Sequence, residues 1–191
     1  LSYVLCVVGA NLFQGLIVLP LFLKWKGLSP YKQLRGMAPA LMTAFFTKSS
    51  NAALPVTLEC AEKKLGVNSR VAKLTLPLCS IINMNACAAF ILITVLFVST
   101  QSGITFSVAE MILWIFLASL AAVGNAGVPM GCYFLASAFL VGMGVPLSLM
   151  GLILPFYTML DMLETALNVW SDSCIASVVD QELKEPALQN A

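Results

Sequence analysis

The stretch LILPFYTMLDMLETALNVWSDSCIASVV, residues 152–179, decides how the rest of the chain is read. It is apolar for most of its length, yet it carries Asp161, Glu164, Thr165, Asn168 and Asp172. Successive helical residues turn by about 100°, so Asp161, Thr165, Asn168 and Asp172 form one polar stripe, with Glu164 at its margin. An acidic group at membrane depth costs at least ~2.5 kcal/mol on insertion scales and therefore faces a cavity, an ion or a partner. Asp161, Glu164 and Asp172 on one helix predict an element built around a polar ligand.

The other residues place that helix in a membrane. The chain has 191 residues, 60% hydrophobic and 10% charged, against about 25% charged in a soluble domain. Its mean hydropathy is +0.93. A formal net charge of +1 and the lack of any basic tract give no footprint for nucleic acid. There is no His, which removes His-based triads, metal ligands and proton relays. The six Cys show no metal-type spacing and read as small apolar fillers. An intramembrane hydrolase is disfavoured too: Ser49 lacks a base, and Asp161 and Asp172 are too distant for a carboxylate dyad, about 16 Å along one helix.

Lysine and arginine placement orients the chain. Lys24, Lys26, Lys32 and Arg35 follow the first apolar run, Lys63, Lys64, Arg70 and Lys73 follow the second, and Lys184 follows the last. All are expected in the cytoplasm. The segment between the two clusters must then enter and leave on one side. It folds at TKSSNAALP, with arms short of the ~20 residues needed to cross. A second pair of short arms meets at GNAGVPMG, and Asn83 and Asn85 interrupt the helix between the pairs.

The predicted fold is an all-α polytopic membrane protein: a spanning helix over 1–26, re-entrant hairpin 1 over 31–66, a broken helix over 70–100, re-entrant hairpin 2 over 106–144, a last helix over 146–180 and a cytoplasmic tail over 181–191. Hairpin plus helix occurs twice in opposite orientations, the inverted-repeat pattern of secondary transporters. Because Leu1 lies inside an apolar stretch, further spans are expected upstream.

Four motifs in this order resemble the C-terminal half of the glutamate transporter family, the dicarboxylate/amino acid:cation symporters: TKSSNAALPVT, INMNA, NAGVP and DMLETALNVWSD. The resemblance implies a homotrimer in the plasma (inner) membrane that couples sodium entry to substrate uptake by alternating access. It also implies residue roles. Ser49 and Ser50 would hold the substrate carboxylate, and Gly127, Val128 and Pro129 would close over it. Asp161 would receive the ammonium, with Thr165 and Asn168 alongside. Asn83, Asn168 and Asp172 would bind sodium, and their all-oxygen set suits a hard cation. Asn85 stands where sodium-rich members carry Asp, so a further sodium position there loses its charge.

Carriers of acidic amino acids have Arg where this chain has Glu164, and ETALN looks like the bacterial sodium/serine–threonine branch. A Lys48–Glu164 pair across the site would leave a net-neutral pocket for a small amino acid such as Ser, Thr or Ala. The alternative is a dicarboxylate, glutamate or aspartate carrier, driven by sodium or protons, in which Lys48 receives the side-chain carboxylate.

Overall fold

The computed structural model describes residues 1–125 and 127–189, and every regular element among them is a helix. The apolar N-terminal run gives α1 (Ser2–Phe13), a π-helical stretch (Gln14–Val18) and α2 (Leu19–Trp25), continuous as a 24-residue rod. At ~1.5 Å per residue such a rod covers a hydrocarbon core about 30 Å thick. The π stretch has a local cause. At Gly15 the Leu167 side chain occupies the place a Cβ would take, and the Trp170 indole N–H donates to the Gly15 carbonyl at 3.0 Å.

Ser29 and Pro30 start α3 (Pro30–Thr47): the Ser29 hydroxyl accepts from the Lys32 N–H at 3.4 Å, and Pro30 supplies a preset φ at the first position. Ser49 caps α4 (Ser50–Cys60) by accepting from the Ala52 N–H at 3.2 Å. A π turn (Ala61–Leu65) leads to α5 (Ser69–Ile82), capped by Asn68. Backbone outside the helical region at Asn83 and Met84 separates α5 from α6 (Asn85–Gln101). A Ser107–Glu110 capping box opens α7 (Val108–Gly124), which the 124–131 tip joins to α8 (Gly131–Gly142). The last helix is α9 (Ser148–Gln189).

Among the described residues, three helical stretches are long and apolar enough to cross a membrane: Ser2–Trp25, Ser69–Gln101 and Ser148–Lys184. Large apolar side chains such as Phe46, Leu74, Phe116, Leu120, Leu152 and Met159 point outward, a surface suited to lipid rather than water. The helices α3 and α4 pack on each other, whereas α7 and α8 each lie on α6. Residues 181–189, expected as a tail, continue α9. Lys184 pairs with Asp180 one turn back at 2.5 Å, Glu182 pairs with Lys26 at 2.5 Å, and Asp180 accepts from the Asn68 N–H at 3.0 Å.

The core has parts meeting along α9. Its N-terminal half (Met150, Ile153, Tyr157, Leu160) packs with α1, α6, α7 and α8. Its C-terminal half packs Val169 against α3 and α4, Ala176 against α4 and α5, and Trp170 and Cys174 against α2. The polar stripe and the α5–α6 break lie where these parts adjoin.

Candidate functional site

Two tips meet at that junction. Among the described residues the non-glycine positions with positive φ are Lys48 (53°), at the α3–α4 tip, and Met130 (58°), at the α7–α8 tip. Strained backbone of this kind persists only where its surroundings hold it. Gly127 shows how closely the tips approach. It has φ +70°, and a Cβ there would lie 3.3 Å from Asn51 Nδ2 at the start of α4, 3.3 Å from the Ser80 carbonyl of α5 and 3.4 Å from Met84 Cε. The α7–α8 tip is thus docked on the α3–α4 tip and on the end of α5.

Between them lies a cavity of about 20 Å³, room for roughly one water. The first tip contributes Lys48, Ser49 and Ser50, and the second contributes Gly127, Val128 and Pro129. From α9 come Asp161, Thr165 and Asn168. Nine residues singled out in three separate segments therefore share one enclosure. In this closed arrangement Ser49 Oγ is engaged as a helix cap, the Thr165 hydroxyl donates to the Asp161 carbonyl at 2.7 Å, and the Tyr157 hydroxyl stands 3.5 Å from Asp161 Oδ1.

A second polar constellation surrounds the α5–α6 break. Asn83 Nδ2 donates to Asp172 Oδ1 at 2.8 Å, and Asn168 Oδ1 accepts from the Ala86 N–H at 3.0 Å. Asp172 and Asn168 are both buried. The break frees backbone carbonyls close to a carboxylate and two amides, a donor set of hard oxygens. Asn85 lines a cavity of about 280 Å³ together with Asn83, Gln14 and Ser119, and neither of its amide atoms has a hydrogen-bond partner among the described residues.

Two expectations need correction. Lys48 and Glu164 do not pair; the ion pairs among the described residues are Lys26–Glu182, Lys63–Glu59 and Lys184–Asp180. Glu164, expected at the margin of the stripe and in the substrate site, is not among the residues that line the cavity. Its exposure is 0%, neither oxygen has a partner among the described residues, and it lies beside the thiols of Cys87 and Cys132. The cause is helical phase: three residues on from Asp161, a side chain has turned about 60° away. That turn carries Glu164 to α6 and α8, while Lys48 stays on the cavity side with Asp161.

Sequence reasoning missed Met84, Cys87, Asn125, Gly131, Cys132 and Tyr157 as cavity residues. Asn125 heads the NAGVP motif, and Tyr157 is one turn before Asp161, so both had a local signal. The cysteines had none, because only their partners across space distinguish them from core fillers.

Comparison with known proteins shows the family. The model of the sodium:dicarboxylate symporter family matches residues 1–182. The chain belongs to this family. It is 36% identical over 190 residues, 99% of its length, to a Caenorhabditis elegans protein named as a sodium-dependent excitatory amino acid transporter, covering 38% of that protein. It is 32% identical over 173 residues to the mouse neutral amino acid transporter B(0), covering 90% of this chain and 31% of the relative. Identity to mouse excitatory amino acid transporter 3 is 32% over 185 residues, covering 96% of this chain and 35% of the relative. The chain thus spans about a third of these relatives' length. The family and these relatives are transporters, not enzymes, and the family is one of sodium-dependent membrane carriers.

Proposed function

We propose that this chain forms the substrate- and ion-binding core of a symporter that couples sodium entry to uptake of a small neutral amino acid such as Ser, Thr or Ala. The observation that carries the reading is the second tip docked over the cavity of Ser49, Ser50, Asp161, Thr165 and Asn168. A cavity of about 20 Å³ is too small for an amino acid, so loading requires the tip to lift, which makes it a gate. On this reading α3–α4 and α7–α8 are re-entrant hairpins 1 and 2 of an inverted repeat, and the working unit is a homotrimer in the plasma membrane.

Each group then has a task. The hairpin 1 tip, where Ser50 N–H begins a helix, attracts the substrate carboxylate. Asp161 Oδ1 receives the ammonium, and the Asn168 amide orients the substrate backbone. Sodium is co-transported cargo: it would displace Asn83 Nδ2 from Asp172 and take oxygens of Asp172, Asn83, Asn168 and the freed carbonyls at the break. Substrate and sodium are coupled because both favour the closed tip, and each therefore raises the affinity for the other. The buried Glu164 sits behind the cavity wall, where its carboxylate disfavours a second substrate carboxylate.

One observation favours the alternative, a dicarboxylate or acidic amino acid substrate driven by sodium or protons. Lys48 lines the cavity without an ion pair among the described residues, so it is free to receive a side-chain carboxylate. Radiolabelled serine uptake into proteoliposomes, with an imposed sodium gradient and aspartate as competitor, separates the two. Sodium-dependent serine uptake indifferent to aspartate supports the neutral pocket; aspartate blocking uptake, or being carried, assigns Lys48 to the substrate.

A further inference from the structure

We propose that Cys87, Cys132 and Glu164 form a binding site for a thiophilic divalent cation of the Zn²⁺/Cd²⁺ class, and that an ion held there clamps the second hairpin shut. The three side chains come from α6, the first turns of α8, and α9. Their ligand atoms, two Sγ and a carboxylate oxygen, lie within 4.8 Å of one another. All three are buried, and both Glu164 oxygens lack a hydrogen-bond partner among the described residues. A carboxyl group withdrawn from water with nothing to bond is costly, and a cation on its open face removes that cost.

The donor set selects the ion. Two sulfurs with one carboxylate favour Zn²⁺ or Cd²⁺ over Na⁺, Mg²⁺ or Ca²⁺, which take oxygen. Tetrahedral zinc, with Zn–S about 2.3 Å and Zn–O about 2.0 Å, sets S···S near 3.8 Å and S···O near 3.5 Å. Separations within 4.8 Å therefore close by roughly 1.3 Å at most. A fourth ligand is at hand in Asn125. Its Nδ2 is 3.5 Å from Cys132 Sγ and 3.9 Å from Cys87 Sγ, while its Oδ1 is buried without a partner among the described residues. Turning the amide over presents that oxygen to the ion. Asn168 Nδ2, 3.5 Å from Cys87 Sγ, donates to the thiolate from outside. Binding releases the thiol protons and leaves one net negative charge on the three ligands and the ion, which that amide offsets in part.

The ligands bridge the gate to its frame. Asn125 and Cys132 flank the α7–α8 tip, whereas Cys87 and Glu164 belong to the helices it closes against. Cys87, Cys132 and Asn125 also line the substrate cavity; the ion site goes beyond the substrate reading, and its clamping effect rests on the second hairpin acting as the gate.

The test is direct titration of the purified full-length protein, reduced and in detergent, with Co²⁺ alone. The expected result is one equivalent with a thiolate-to-cobalt charge-transfer band, displaced by Zn²⁺. The band persists when Cys6, Cys60, Cys79 and Cys174 are all changed to Ser. Its affinity falls by at least about tenfold in C87S, C132S and E164Q. Absence of the band overturns the proposal, and so does an unchanged Co²⁺ affinity in C132S or loss of the band in the four-cysteine variant. E164Q keeps side-chain volume, so it decides the matter if a Cys variant does not fold; unchanged Co²⁺ affinity in folded E164Q also refutes the site. Micromolar Zn²⁺ is expected to slow substrate uptake in wild type and not in C132S, and a failure of uptake altogether leaves the cobalt result standing.

Discussion

Replacing Gly127 by Ala tests whether the docked tip is the substrate-holding state. At φ +70° an L residue costs about 1–2 kcal/mol. The added Cβ would stand 3.3 Å from the Ser80 carbonyl, 3.3 Å from Asn51 Nδ2 and 3.4 Å from Met84 Cε. Met84 can rotate away, but the Ser80 carbonyl is helix backbone, so overpacking adds about 1 kcal/mol. Lifting the tip removes all three contacts and releases the φ, so the whole cost of about 2–3 kcal/mol falls on the closed form. At tenfold per ~1.4 kcal/mol, the closed-to-open ratio drops by about 30- to 150-fold, and apparent substrate affinity drops with it. Calorimetric titration of substrate at saturating sodium reads this as a rise in Kd. Gly124→Ala is the control, since nothing lies within 4 Å of its Cβ, and a binding constant within about twofold of wild type is expected. If G127A binds substrate within about threefold of wild type, the closed tip is not the state that holds substrate.

Asp172→Asn removes the only carboxylate of the constellation at the α5–α6 break, so the sodium concentration for half-maximal uptake is expected to rise at least about tenfold; an unchanged sodium dependence would move the ion elsewhere. Trp170→Phe deletes the indole donor to the Gly15 carbonyl and leaves that buried acceptor unpaired, lowering stability by about 1 kcal/mol, read as a melting-temperature fall of about 2–4 °C. A double-mutant cycle on substrate affinity with K48A and E164Q should be additive within about 0.5 kcal/mol, because the two groups are not paired; a larger coupling would restore the ion pair. Asp180→Ala removes the carboxylate that caps Asn68 N–H and pairs with Lys184; increased hydrogen exchange confined to residues 65–70 and the end of α9 is the expected readout.

Much of the architecture was legible because its signals are local. Polar breaks at TKSSNAALP, at Asn83–Asn85 and at GNAGVPMG interrupt apolar runs, and each coincides with a break between helices. The stripe of Asp161, Thr165, Asn168 and Asp172 follows from helical phase alone. The C-terminal boundary was misread, since residues 181–189 look like a polar tail but continue α9, tied near its polar end by Lys26 to Glu182 and by Asn68 to Asp180, both over a hundred residues away. Lys48 and Glu164 were misjoined for a related reason: complementary charge says that two groups attract if they meet, not that the packing lets them meet.

By itself, then, the sequence determined the apolar rods, where they break, and which residues share a face of α9, because each follows from helix periodicity and backbone chemistry within a few turns. The tertiary structure alone decided what each face meets. It turned Glu164 away from Lys48 toward two cysteines that had looked like filler, brought Asn125 onto those sulfurs, and seated Gly127 against Ser80 and Asn51. Those contacts join segments tens of residues apart, and only the packing of α6, α7 and α8 around α9 sets their geometry.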